Sequence, residues 1–404
     1  MIIGIDASRI NIKRATGVEG YSTNLLLWLK KIDFSEYKDG GKYHNQYNLY
    51  TPQKDTLELM DLPKNFNIVE IPFPRLWTQL RLGFELKKRP PHIFFVPSHV
   101  APIIPFKSKK IITIHDVAYK YFPESYSVFS RNYLDFTTKW AVKNADKIIT
   151  ISHTTKDDLV KFYQADEKKI KVIYLGFNPD KIKKEEINKE KWRIISDKFK
   201  IEKPFLLYIG RIEHKKNIAN LIKSFYEILS KGFDIQLVLA GSRGFGYDKI
   251  DSLITKYNLQ DRVVLTNYVS EEEKNHLLHS AKLFVFLSRY EGFGIPVLES
   301  FYAGLPVVAS KIPVFEELYG EASLLVNPYK TEEISVEIIK LLKNENRQQK
   351  MIEKGKEIAK RFSWERCAKE TLELFCELDK EKIIEKHLGI SGEYAKQYKE
   401  MMDK

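Results

Sequence analysis

A chain of 404 residues exceeds one ordinary domain, and 43% hydrophobic residues suffice for two cores. The 66 Lys and Arg outnumber the 54 Asp and Glu, and the net charge of +12 points to an anionic partner, although no nucleic-acid module accompanies it. No run of about 18 apolar residues suggests a membrane span, Met1 to Ser8 is too short and wrongly flanked for a signal peptide, and Cys367 and Cys376 stand roughly 13 Å apart on one expected helix, too far for a disulfide; a cytoplasmic protein is expected.

Short β-rich runs alternate with longer amphipathic segments, the pattern of parallel sheets covered by helices on both faces. The first strand is expected at Ile2 to Asp6. The loop after it, Arg9 to Tyr21, carries Thr16-Gly17-Val18-Glu19-Gly20-Tyr21 ahead of a helical run, and Gly17 suits close approach of a ligand to a helix N-terminus. Further strands are expected at Tyr47 to Thr51, Ile68 to Ile71, Ile93 to Val96, Ile111 to His115, Lys147 to Ile151 and Lys171 to Ile173. From Arg75 to Lys110 eight basic residues face Glu85 alone, interleaved with Leu76, Trp77, Leu80, Leu82 and Phe84. That alternation suits an anionic membrane surface, and equally a solvated helix with one core face.

Thr113-Ile114-His115-Asp116-Val117 closes a strand, where ligands of open α/β sheets bind. His115 can donate a hydrogen bond to a sugar hydroxyl or be a histidine satisfied within the core, and Asp116 can cap the segment after it. His99, His153 and His214 read as structural. The join between domains is expected near Gly176 to Asp180, and the charged stretch Lys181 to Lys200, with Trp192 and Phe199, reads as the first helix of the second domain.

A second strand series is expected at Phe205 to Ile209, Gln236 to Ala240, Val263 to Thr266, Leu283 to Leu287, Val307 to Ala309 and Ser323 to Val326. Its first strand runs into Gly210-Arg211-Ile212-Glu213-His214-Lys215-Lys216-Asn217. By spacing alone Arg211 and Lys216 are two surface charges; at a strand end they can stabilise a departing diphosphate without a metal. Lys215 reads as a neighbour. The strand ending at Leu287 leads to Arg289-Tyr290-Glu291-Gly292-Phe293-Gly294-Ile295-Pro296-Val297-Leu298-Glu299. Here a Gly-flanked loop meets a helix start marked by Pro296, so the backbone N–H groups from Gly292 to Ile295 form an anion site. Glu291 precedes the helix and Glu299 lies about one turn inside it. In isolation such carboxylates also serve only the helix dipole. Near the end, Phe362-Ser363-Trp364-Glu365 marks a helix start, with the helix reaching about Lys386 and a polar tail from 389 to 404 beyond.

The string from Arg289 to Glu299, continued by Ser300 to Ser310, resembles the nucleotide-sugar motif of the family 4 retaining glycosyltransferases. Arg211 and Lys216 match that family's diphosphate-binding pair, and Val172 to Asn178 its segment before the interdomain linker. Ile112 to Ala118 with Phe122-Pro123-Glu124 resembles the subgroup that transfers mannose. The Thr-Gly-Val segment around Gly17 is similar too, although Gly20 stands where the family often has arginine, which bears on acceptor contacts. The resemblance covers Gly4 to Glu373.

It implies an α/β fold of two Rossmann-like domains facing each other across a cleft, the GT-B arrangement, with residues 1–178 for the acceptor, 179–362 for the nucleotide sugar, and 363–404 crossing back to the first domain. It also implies catalytic roles for His115, Glu291, Arg211 and Lys216. Donor contacts are implied for Gly17, Arg211, Lys216, Glu291, Gly292, Phe293, Gly294, Ile295 and Glu299. The implied reaction moves a sugar, as mannose from GDP-mannose, with retention to a glycan or lipid-linked acceptor; the basic stretch from Arg75 to Lys110 adds the expectation of a peripheral place at the inner face of a membrane. No cofactor, metal or nucleic acid is expected, since neither an Asp-x-Asp at a strand end nor a His and Cys cluster is present. An epimerase, a phosphorylase or a non-catalytic sugar-nucleotide binder would use a similar site. A dinucleotide dehydrogenase is set aside because neither domain opens with Gly-x-Gly-x-x-Gly.

Overall fold

The computed structural model describes residues 1–10, 17–38, 45–73, 75–183 and 188–388. Thr16 and the tail from 389 lie outside these. The chain forms two compact units, the first from Met1–Val117, Phe129–Leu175 and Trp364 onward, the second from Ala118–Val128 and Gly176–Ser363.

The first unit is built on seven parallel strands: β1 (Ile2–Asp6), β2 (Gln46–Thr51), β3 (Phe66–Glu70), β4 (Ile93–Val96), β5 (Lys109–Ile114), β6 (Lys147–Thr150) and β7 (Ile170–Val172). Their order is β3-β2-β1-β4-β5-β6-β7. A central parallel strand is covered on both faces, which is why β4 reads Ile-Phe-Phe-Val and is buried throughout. Lys109 and Lys110 begin β5 although apolar runs alone start it at Ile111; they are held by registry with Ile93 and Phe94. His115 accordingly lies one residue beyond the strand end. The helix Trp364–Leu388 buries Trp364, Cys367, Ala368, Thr371, Leu372, Phe375 and Leu378, one helical stripe, against the helix Val18–Lys38 and β4. Phe375 meets Phe95 at 5.3 Å and Trp364 meets Tyr21 at 6.1 Å. The C-terminal helix thus belongs to the first unit. Both cysteines are free, and burial pushes the Cys367 thiol well up.

The second unit repeats the plan with β8 (Phe205–Ile209), β9 (Gln236–Ala240), β10 (Val263–Asn267), β11 (Leu283–Phe286), β12 (Val307–Ser310) and β13 (Ser323–Val326), ordered β10-β9-β8-β11-β12-β13. The charged stretch is helical over Lys189–Phe199, capped by the Asn188 side chain and stopped by left-handed Lys200. In each unit the strand order reverses beside the first strand, between β1 and β4 and between β8 and β11. At such a reversal the loops at the carboxyl ends part and leave a crevice for a ligand.

Candidate functional site

At the reversal in the second unit, β8 runs out into Gly210. The loop is pinned to its neighbour by Gly210 N–H to Ala240 O (2.9 Å) and Ile212 N–H to Ser242 O (2.9 Å). Gly241 makes the crossing passable: a Cβ there would stand 1.8 Å from the Gly210 carbonyl oxygen. The Tyr208 hydroxyl donates to Arg211 O at 3.0 Å, a short 3-10 turn covers His214–Lys216, and Asn217 turns left-handed at φ 60. Asn217 is fixed there by Nδ2 donating to Pro328 O at 2.7 Å. Arg211 projects to solvent, its Nε 3.9 Å from Glu213, while Lys216 turns inward.

Across the reversal, β11 leads into the second loop. Arg289 ties the two loops together, its N–H donating to Lys215 O at 2.9 Å and its Nε to Asn217 Oδ1 at 3.2 Å, with the guanidinium over the Tyr329 ring. Gly294 adopts φ 95 at the N-cap of the helix Ile295–Ala303, where a Cβ would meet Phe315 at 2.8 Å. No side chain caps that helix, so its terminus retains its positive character toward an anion. Phe293 packs edge-on to Tyr319 and Phe362 and belongs to the core, so ligand contact there falls to its backbone.

The two loops bring Lys216 and Glu291 together, Nζ to Oε1 at 2.5 Å, both side chains about one-seventh exposed. Burial first, then the Glu291 charge, holds the Tyr208 and Tyr319 hydroxyls well above the usual phenol range, so both stay protonated. Glu299 points elsewhere and pairs with Lys274 of the helix Glu271–Ser280 at 2.7 Å. The segment 118–128 adds groups that spacing alone did not mark: Tyr121 stacks on Tyr290 at 4.8 Å, and Glu124 stands 3.5 Å from His214. Phe122-Pro123-Glu124 carried the only sequence signal for them. Lys274 had none.

Gly17 and His115 lie in the first unit, linked by Tyr21. Gly17 adopts φ 50 with open space at its Cβ position, and its carbonyl accepts from Tyr21 N–H at 3.0 Å. The Tyr21 ring meets His115 edge-on at 4.9 Å, and its hydroxyl bonds Thr113 Oγ1 at 3.2 Å. His115 departs from expectation in one respect. Its Nε2 stands 2.9 Å from Pro97 O, and a carbonyl only accepts, so the ring proton is committed there and Nδ1 is left as an acceptor rather than a donor. Burial first, then the neighbouring His99, lowers the ring to a pKa of about 4, so it is neutral at physiological pH.

This lowering can be tested through stability. The unfolded imidazole titrates near 6.5 and the folded one near 4, so the unfolded state takes up the proton first and acid destabilises the fold across that window. Between pH 7 and pH 4 this residue is expected to remove about 3 kcal/mol of stability. Urea titrations of the native chain and of His115→Gln should diverge in acid-side slope; equal slopes would refute the assignment.

Among the described residues, no group of three or more His, Cys, Asp or Glu converges as a metal site, and no helix is long and apolar enough to cross a membrane.

Comparison with known proteins agrees with the fold of the two units. The family described as "Glycosyl transferases group 1" matches residues 188–358, and "Glycosyltransferase Family 4" matches residues 49–181. The chain is 26% identical to O-antigen chain mannosyltransferase B of Escherichia coli over 74% of this chain and 78% of that one. It is 31% identical to O-antigen chain mannosyltransferase RfbU of Salmonella typhimurium over 56% of this chain and 58% of that one. In fold it is similar to Anabaena HepE, solved in complex with UDP and glucose, with a TM-score of 0.70 at 18% identity over 93% of this chain and 99% of that one.

Proposed function

The chain belongs to the family 4, group 1 glycosyltransferases of GT-B type, and from that premise we propose that it transfers mannose from GDP-mannose, with retention and without a metal ion, to a glycan or lipid-linked acceptor. The observation that carries the reading is the Lys216–Glu291 pair beside the uncapped helix at Gly294, set at a sheet reversal. The naming of two similar proteins as mannosyltransferases supports the choice of sugar.

In this reading Arg211, Lys216 and the helix terminus hold the diphosphate, and their charges grow in value as the leaving group becomes more negative. Glu291 accepts from hydroxyls of the sugar and Glu299 from the ribose. Neutral His115 accepts from a sugar hydroxyl through Nδ1. The C1–O bond to the diphosphate breaks while the acceptor oxygen bonds C1 on the same face, and the acceptor proton passes to the departing phosphate. Turnover of GDP-mannose is therefore expected to persist in EDTA, because these groups supply the positive field a divalent ion gives elsewhere. Hydrolysis and transfer assays with GDP-mannose and UDP-glucose, each with and without EDTA, test this. Exclusive use of UDP-glucose, or loss on chelation restored by magnesium, would overturn it.

The acceptor assignment rests on the basic, apolar stretch of the first unit. A π turn, Thr78–Leu82, runs into the helix Gly83–Lys88, and Trp77 is anchored by Nε1 donating to Ile71 O at 2.7 Å. Leu76, Leu80 and Phe84 are exposed beside Lys87, Lys88 and Arg89. Glu85 pairs with both Arg81 and Arg89, which leaves the net charge positive. Each basic residue near an anionic leaflet contributes about 1 kcal/mol, so binding to phosphatidylglycerol vesicles is expected at low salt and should fade at high salt. Co-sedimentation of the native chain and a Lys87/Lys88/Arg89→Gln variant checks it; unchanged binding in that variant would reject the surface.

A further inference from the structure

Lys274 lies in the first turn of the helix Glu271–Ser280 and reaches to the helix Ile295–Ala303. Its Nζ stands 2.7 Å from Glu299 Oε1 and 3.2 Å from Glu271 Oε2. The Lys274 and Glu299 side chains are 13% and 14% exposed, whereas Glu271 is 49% exposed and shares a second cation, Lys181, at 3.5 Å. Glu299 is therefore the partner that depends on Lys274. A carboxylate so far out of water depends on its counterion, and removal of that counterion leaves it to swing toward solvent. Burial pulls the Lys274 ammonium down, but Glu299 and Glu271 more than offset it, so the cation persists. One Glu299 oxygen is taken up by Lys274, and no other hydrogen bond reaches the Glu299 carboxylate among the described residues. Its second oxygen keeps its acceptor capacity.

We propose that Lys274 is a positioning residue for nucleotide recognition: it grips Glu299 by one oxygen and presents the other to the vicinal hydroxyls of the ribose. The proposal rests on the reading of Glu299 as the ribose contact. Lys274 itself touches no substrate. Its effect is confined to the ribose edge, because Lys216 and Glu291 form their own pair on other elements.

The measurement is calorimetric binding of GDP and of UDP, each against its 2′,3′-dideoxy analogue, to the native chain, Lys274→Met and Lys274→Arg. The native chain should prefer the ribose form by about ten- to hundredfold, as a charge-assisted hydrogen bond requires. Lys274→Met should reduce that preference to below about threefold while leaving affinity for the dideoxy form nearly unchanged, and Lys274→Arg should keep most of it. A native chain with no preference would overturn the ribose reading of Glu299. A native preference that survives intact in Lys274→Met would overturn the role of Lys274 alone. Equal weakening of both nucleotides in Lys274→Met would also overturn it, since that is the mark of general disruption. If the Met variant does not fold, Lys274→Gln carries the same readout.

Discussion

Replacing Lys216 by alanine is expected to lower kcat/KM with GDP-mannose by about a hundred- to thousandfold, the loss typical of removing one preorganised charge from a transition state. The expectation is strong because Lys216 is shielded from water, where a charge acts with little screening, and Arg289 holds the residues on either side of it, by the Lys215 carbonyl and Asn217 Oδ1. Arg211, with 62% of its side chain exposed, should matter less. The same substitution strands the Glu291 carboxylate in its buried position and should cost about 3 kcal/mol or more of stability. A Lys216→Met/Glu291→Leu pair separates the two effects: stability should recover and activity should not. If the single variant keeps kcat/KM within about threefold of the native value, the assignment of Lys216 fails.

Gly241→Ala should be the most damaging single-methyl change in the second unit, by about 2 to 4 kcal/mol. The added carbon would overlap the backbone oxygen of Gly210 at 1.8 Å, and a backbone atom cannot rotate away as a side chain can. Relief requires β8 and β9 to part at their carboxyl ends, which also displaces Arg211. A control is Gly232→Ala, at φ 85 with open space around it, which costs backbone strain alone. Thermal or urea unfolding of both variants decides the matter; equal losses would mean that the contact with Gly210 carries no weight.

The alternation of apolar runs located the 13 strands seen among the described residues, because a doubly covered parallel strand has little freedom in composition. It misplaced ends where registry, not hydropathy, sets them, as at Lys109 and Lys110. At the site, Lys216 and Glu291 were legible because glycine-flanked loops after strands are chemically distinctive. Lys274 was not, since one lysine in an acidic helix start looks like any other until its partner, 25 residues on, is seen. His115 was found, but whether its proton was given away depended on Pro97 O, a backbone atom on a neighbouring strand's exit that no side-chain pattern records. Gly17 and Gly294, expected at helix starts where a ligand comes close, both adopt positive φ.

Neither compact unit is a continuous piece of chain. The backbone passes from one to the other after Val117, Val128, Leu175 and Ser363. A fragment cut at Gly176 and Ser363 would leave behind the segment bearing Tyr121 and Glu124, and with it the stacking on Tyr290 and the contact with His214. One ending before Trp364 would strip the helix that covers β4. For anyone building chimaeras to exchange donor or acceptor preference between relatives, a single crossover is therefore the wrong unit of inheritance: the graft must carry the short insert as well as the long block, and the last helix must stay with the parent that supplied the first strand.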